Sequence, residues 1–75
     1  MEERYKEFGE FMKHMRKSVG WSAAEMGERL GVFRTTITRW EKGQNLSAQD
    51  IFVLELKIRH MVKEELYDKR LQEAG

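Results

Sequence analysis

Apolar residues recur along this chain in steps of three and four. Tyr5, Phe8, Met12, Met15 and Val19 keep that rhythm and Phe11 widens the stripe, which predicts an amphipathic helix from about Glu3 to Val19. Gly9 falls in its interior, where glycine costs roughly 1 kcal/mol against alanine and predicts frayed first turns. Gly20 lets the chain turn. Trp21 then precedes Ser22, a helix cap whose hydroxyl can take a backbone N–H while Glu25, three residues on, reaches back to the cap. Ala24, Met26, Gly27 and Leu30 follow at helical spacing, and Gly31 fits the left-handed position beyond a helix end. A second helix over Ala23–Leu30 results, with Trp21 placed to staple onto Met26.

A third helix is predicted over about Phe33–Lys42, with Ile37 and Trp40 on its inner face and Gly43 past its end. Both tryptophans read as core packing. Gln44-Asn45-Leu46 is a loop, and Ser47 with Asp50 repeats the capping signature. From Ala48 to about Glu73 nothing interrupts the helical pattern, with a break near Arg59-His60 as the alternative. Ile51, Leu54, Ile58, Met61 and Val62 line one side of this last helix, and Phe52 and Leu56 another. Leu66, Tyr67 and Leu71 are left over in its charged second half. That is more apolar surface than three short helices cover, so a homodimer is expected through this helix, with Ile58, Met61, Val62 and Leu66 at the seam. A core helix with a polar tail is the plainer reading.

Seventy-five residues with no cysteine and no proline make one all-α domain, 1–75, held by helix packing or dimerisation rather than by disulfides or thiolate–zinc staples. Hydrophobic residues at 40% and charged ones at 36% suit a folded helical chain rather than a disordered one. No apolar run spans a bilayer and MEERYKEF is too charged for a signal peptide, which places the chain in the cytoplasm. The net charge of +1 says little, but its distribution says more. Residues 1–10 carry two bases against four acids, residues 11–22 three bases and no acid, and residues 32–45 three bases against one acid. Positive charge therefore gathers at the end of the first helix and on the third, the local arrangement that phosphate binding needs.

The outward face of the third helix carries Arg34, Thr35, Thr38 and Arg39. Arginine forks onto guanine O6 and N7 and a threonine methyl meets thymine, so this is a face for the major groove. Lys13, Lys17, Lys42 and Asn45 are the candidate phosphate ligands, which fix register without reading sequence. The N–H groups that open the last helix are a further phosphate site in principle, but Asp50 opposes it and favours the loop. For any single one of these side chains, plain solvent exposure is the competing account. Their co-occurrence on one face carries the reading. His14 and His60 stand on separate helices with no cysteine, paired carboxylates or phosphate cradle beside them, so neither an enzyme, a metal site nor a cofactor is expected.

The stretch from Gly20 to Gly43 resembles the helix-turn-helix of the lambdoid phage repressor and Cro proteins, the XRE-type family. The resemblance runs without a gap through Gly20, Glu25, Leu30-Gly31, Ile37 and Trp40-Glu41-Lys42-Gly43, extends back to Met15-Arg16, and covers about half the chain. It implies a bundle of four to five helices with a long C-terminal one. It also implies a partly buried ion pair between Arg16 and Glu41 that locks the third helix against the first. Gly27 would sit where the two helices of the motif cross. Arg34, Thr35 and Arg39 match the family's base-reading positions. Two departures stand out: Ala23 replaces the usual glutamine, and Phe33 the usual Ser or Thr cap, leaving the ring to pack on the core or to touch thymine methyls. The family's proline after the third helix is also missing.

The expected function is sequence-specific binding of a palindromic operator in double-stranded DNA by a homodimer, with half-sites about one helical turn apart. So short a chain leaves no room for a ligand or activation domain, which points to a repressor, as in phage and plasmid autorepressors. The alternative is a protein-interaction module, such as an antitoxin or adaptor, that docks a protein partner through its C-terminal helix.

Overall fold

The structure, a computed structural model, describes residues 3–74. Those residues form four helices and no strand: α1 (Glu3–Ser18), α2 (Ala23–Leu30), α3 (Arg34–Glu41) and α4 (Ala48–Ala74). The last is continuous through Arg59 and His60, as the uninterrupted pattern predicts, and the alternative of a break there does not occur. At 1.5 Å per residue it is about 40 Å long, and it dominates a molecule of 47 × 19 × 17 Å. No helix among the described residues is long and apolar enough to cross a membrane.

The helix ends follow from local chemistry. At the start of α2, Ser22 Oγ accepts the Glu25 N–H at 3.1 Å, and Glu25 Oε1 accepts the Ser22 N–H at 2.8 Å. At the start of α4, Ser47 Oγ and the Asp50 carboxylate make the same reciprocal exchange, both at 3.1 Å. Helices α1, α2 and α3 each finish in one motif: a left-handed glycine donates to the carbonyl three residues back, and the next residue to the carbonyl five back. The pairs are Gly20→Lys17 with Trp21→Arg16, Gly31→Glu28 with Val32→Gly27, and Gly43→Trp40 with Gln44→Arg39. Glycine suits the position because its φ of 74° to 80° would press a Cβ against the carbonyl.

Every helix contributes to the core. Phe8 and Met12 of α1, Met26 of α2, Ile37 of α3 and Leu54, Ile58 and Val62 of α4 are buried, with Val19 and Trp21 from the first turn. Arg29 stacks over Trp21 with its guanidinium 4.2 Å from the ring centroid, and Arg59 lies 4.9 Å over Phe11, each covering an aromatic face. Trp40 is half-buried and its indole Nε1 donates to the Asn45 carbonyl at 3.2 Å, which fixes the turn after α3.

Two backbones meet where side chains are missing. A Cβ on Gly27 would lie 2.6 Å from the Val32 carbonyl oxygen, so α2 rests directly on the turn that opens α3. A Cβ on Gly9 would lie 2.5 Å from the Glu41 carbonyl oxygen and 2.8 Å from that of Trp40. The frayed start expected from Gly9 is therefore corrected: α1 is helical from Glu3, and its buried glycine is the gap into which the end of α3 fits.

The expected dimer seam is corrected as well. Ile58 and Val62 are 0% and 2% exposed, so these two are used up inside the protomer, while Met61 is half-buried against the same core. Only Leu66 of that set is exposed. What α4 turns to solvent is its opposite side, with Phe52, Leu56, Tyr67 and Leu71.

Candidate nucleic-acid interface

The sequence folds α3 so that one side is anchored and the other is bare. Ile37 is fully buried and Trp40 half-buried, while Arg34, Thr35, Thr38 and Arg39 are exposed. At 100° per residue these four and Lys42 fall within about 140° of arc. They line one shallow, open concavity, and Gln44 joins them.

Chemically the concavity is a hydrogen-bonding surface with a cationic bias. Among the described residues, neither the Arg34 nor the Arg39 guanidinium has an ion-pair partner, so both forks are available to an external acceptor. Thr38 Oγ1 donates to the Arg34 carbonyl at 3.1 Å. Its hydrogen is thereby used inside the helix, and it offers a visitor a methyl group and an acceptor oxygen. Gln44 supplies the only carboxamide on this surface. It stands in the loop expected after the terminal glycine of α3. That position is held against the helix, with the Gln44 N–H donating to Arg39 at 2.9 Å.

Behind the face sits a clamp. Arg16 Nε donates to Glu41 Oε2 at 2.7 Å and its Nη2 to Oε1 at 3.1 Å, a bidentate pair, while Nη1 donates to the Trp21 carbonyl at 3.0 Å. Both side chains are mostly withdrawn from water, at 14% and 11% exposure. The Glu41 carboxylate, by accepting these hydrogen bonds, holds the Arg16 proton even more firmly than usual, against the opposing effect of burial. One guanidinium thus joins the end of α1, the turn into α2 and the end of α3.

The candidate phosphate ligands divide. Lys42 lies on the concavity with Arg34, Thr35, Thr38 and Arg39. Lys13 and Lys17, one turn apart on α1, are exposed and lie outside it. Asn45 is exposed as well, in a left-handed conformation with φ 58°. Phe33 is the N-cap of α3 but makes no side-chain cap bond, and its ring is 82% exposed, which excludes the core-packing alternative. Ala23 takes an apolar role, packed against the core in place of a polar side chain. His14 and His60 are exposed, and no cluster of three or more metal-ligating side chains occurs among the described residues.

Helix-turn-helix domains match this chain over residues 7–54, which takes in most of α1, all of α2 and α3, and the first two turns of α4. The chain belongs to the helix-turn-helix domain family. Within this helix-turn-helix domain the clamp, the two close glycine crossings and the bare face of α3 all lie in the matched segment. A protein of Pyrococcus furiosus, named as a proposed HTH-type transcriptional regulatory protein, is 36% identical over 45 residues, or 60% of this chain. The chain spans only 14% of that relative's length. No solved structure matches it. Residues 55–74 of α4 lie beyond the family match, so their surface has to be read from its own chemistry.

Proposed function

We propose that the protein is a sequence-specific regulator that binds double-stranded DNA as a homodimer and represses transcription at a palindromic operator. The observation that carries this is the convergence of Arg34, Thr35, Thr38, Arg39, Lys42 and Gln44 on one open face of a helix that is clamped from behind. In this reading α3 enters the major groove. Arg34 and Arg39 fork onto guanine, Thr35 and Thr38 meet thymine methyls or donors, and Gln44 adds a carboxamide for adenine or a phosphate. Lys13, Lys17, Lys42 and Asn45 hold the backbone. The site of action is then the nucleoid of a prokaryotic or phage-infected cell.

Selection of bound sites from random duplex DNA tests this, with a two-fold repeat of about one helical turn expected. Arg39→Ala should weaken the selected site by about 1–3 kcal/mol and leave random-sequence DNA almost unaffected. Equal losses on both would move Arg39 to the phosphate contacts, and no salt-sensitive binding at all would remove the DNA reading. A second reading, an adaptor or antitoxin that docks a protein through α4, draws support from the apolar residues exposed on that helix. It predicts a monomer that ignores DNA and co-purifies with a partner.

A further inference from the structure

The outer face of α4 has a pattern of its own. Phe52, Leu56, Tyr67 and Leu71 are all exposed, and at 100° per residue they fall within about 100° of arc, diametrically across the helix from Leu54, Ile58 and Val62. Their placement is symmetric about a single point. Phe52 and Leu71 are equidistant from the middle of the Met61–Val62 bond, and so are Leu56 and Tyr67. A second copy of α4 laid antiparallel across this face, on a two-fold axis through that point, sets Phe52 beside the partner's Leu71 and Leu56 beside the partner's Tyr67. Each contact occurs twice, as a two-fold interface requires.

Charge agrees with the same register. In an antiparallel helix pair the residues flanking the seam meet two positions off the register of the central layers. That offset brings Lys57, exposed at the rim of the stripe, to the partner's exposed Glu64 on one side. On the other it brings Arg70 toward the partner's Glu55, which lies about 60° beyond the stripe and already accepts from Arg59 at 3.1 Å, so the Lys57–Glu64 pair carries the charge argument. His60 and Lys63 occupy the centre, a polar layer of the kind that fixes register at some cost in stability. A parallel pair would stack Lys63 on its own copy and align the two helix dipoles side by side. The antiparallel pair opposes the dipoles. It also sets the two Ala48 ends about 40 Å apart at 1.5 Å per residue, of the same order as the roughly 34–36 Å between half-sites one helical turn apart.

The geometry points to an antiparallel α4–α4 dimer centred between Met61 and Val62, with a second copy of this chain as the occupant of the Phe52–Leu71 stripe. It rests on the dimeric part of the proposed function and not on α3 contacting DNA. Disulfide trapping tests it, because the chain has no native cysteine. Leu56→Cys mixed with Tyr67→Cys should give a cross-linked heterodimer under mild oxidation, while Leu56→Cys alone gives little. Efficient self-linking of Leu56→Cys would mean a parallel pair and overturn the proposal. So would the absence of both cross-links from these variants while the wild-type chain sediments as a dimer.

Leu56 is exposed, so Leu56→Glu leaves the fold intact by circular dichroism. It should raise the dimer dissociation constant at least about tenfold, or about 1.4 kcal/mol. Lys57→Glu should weaken the dimer, and adding Glu64→Lys should restore it. Failure of that rescue argues against the register. A wild-type chain that is monomeric at tens of micromolar overturns the dimer itself, and operator selection scores DNA binding separately.

Discussion

Replacing Gly9 by alanine sets two effects of opposite sign against each other. By helix propensity alone the change stabilises, by roughly 1 kcal/mol in a helix interior. In the folded protein, however, the new methyl would lie 2.5 Å from the Glu41 carbonyl oxygen, where ordinary contact begins at 3.4 Å. The neighbours are main-chain atoms of α3, not the end of a flexible side chain, so relief requires the helices to part by several tenths of an ångström. Overpacking of this kind costs typically 1–3 kcal/mol. With backbone on both sides of a 2.5 Å contact the cost falls in the upper part of that range, about 2–3 kcal/mol, so a net loss of about 1–2 kcal/mol remains once the propensity gain is deducted. For a domain of this size that is a fall in Tm of roughly 5–15 °C. The same displacement moves Glu41 relative to Arg16, so, on the proposed function, affinity for the selected DNA site should fall although Gly9 is far from the exposed face of α3. Thermal unfolding by circular dichroism and operator titration measure the two consequences. An unchanged or higher Tm would refute the claim that α3 is seated directly on the backbone of α1.

Other perturbations follow from the caps and the charges. Phe33→Ser supplies the missing hydroxyl at a position whose backbone is already extended (φ −77°, ψ 156°). It should stabilise the protein by about 0.5–2 kcal/mol in a urea titration. The Ser22 N–H holds the Glu25 carboxyl below its usual range. A depressed folded pKa adds stability that is complete above the unfolded value of about 4.3 and drains as pH falls through the lower folded value. The Tm advantage of wild type over Glu25→Gln should therefore be full at neutral pH and vanish in acid, and a gap that persists at pH 2 contradicts this. Lys17→Ala should weaken all DNA sequences alike and lower the salt slope of binding by about 1.

What could be read from the sequence was what is decided locally. Ser22 with Glu25, Ser47 with Asp50 and the terminal glycines announce helix ends because their hydrogen bonds reach only three to five residues. The third helix came out one residue too long at each end, since Phe33 and Lys42 are its caps. Gly9 was misread because its reason lies in another helix, 32 residues on, where propensity has nothing to report. The two apolar stripes of α4 were both visible as periodicity. Which of them faces inward is set by where α1 packs, and that is a tertiary fact. Hence Ile58 and Val62 were assigned to a partner when the protomer itself buries them. Gln44 was missed for a related reason, since a loop residue gains a place on a surface only once the turn that carries it is fixed.

These corrections bear on how a chain this short presents a rigid face at all. An eight-residue helix is marginal alone in water, so α3 must be held from its far side if its outward side is to stay free. Three contacts do this without using any exposed residue of the face: Ile37 in the core, the bare backbone of Gly9 beneath Glu41, and the Arg16 fork on the Glu41 carboxylate. The fork adds little net stability, because desolvation of both ions offsets much of their attraction. Its contribution is directional, since a planar guanidinium engaged at all three nitrogens, two donating to the Glu41 carboxylate and one to the Trp21 carbonyl, fixes the orientation of α3. Among the described residues Arg34 and Arg39 are left without ion-pair partners for the same reason that Arg16 makes three hydrogen bonds: the cation that positions the helix and the cations that face outward are separated by its diameter.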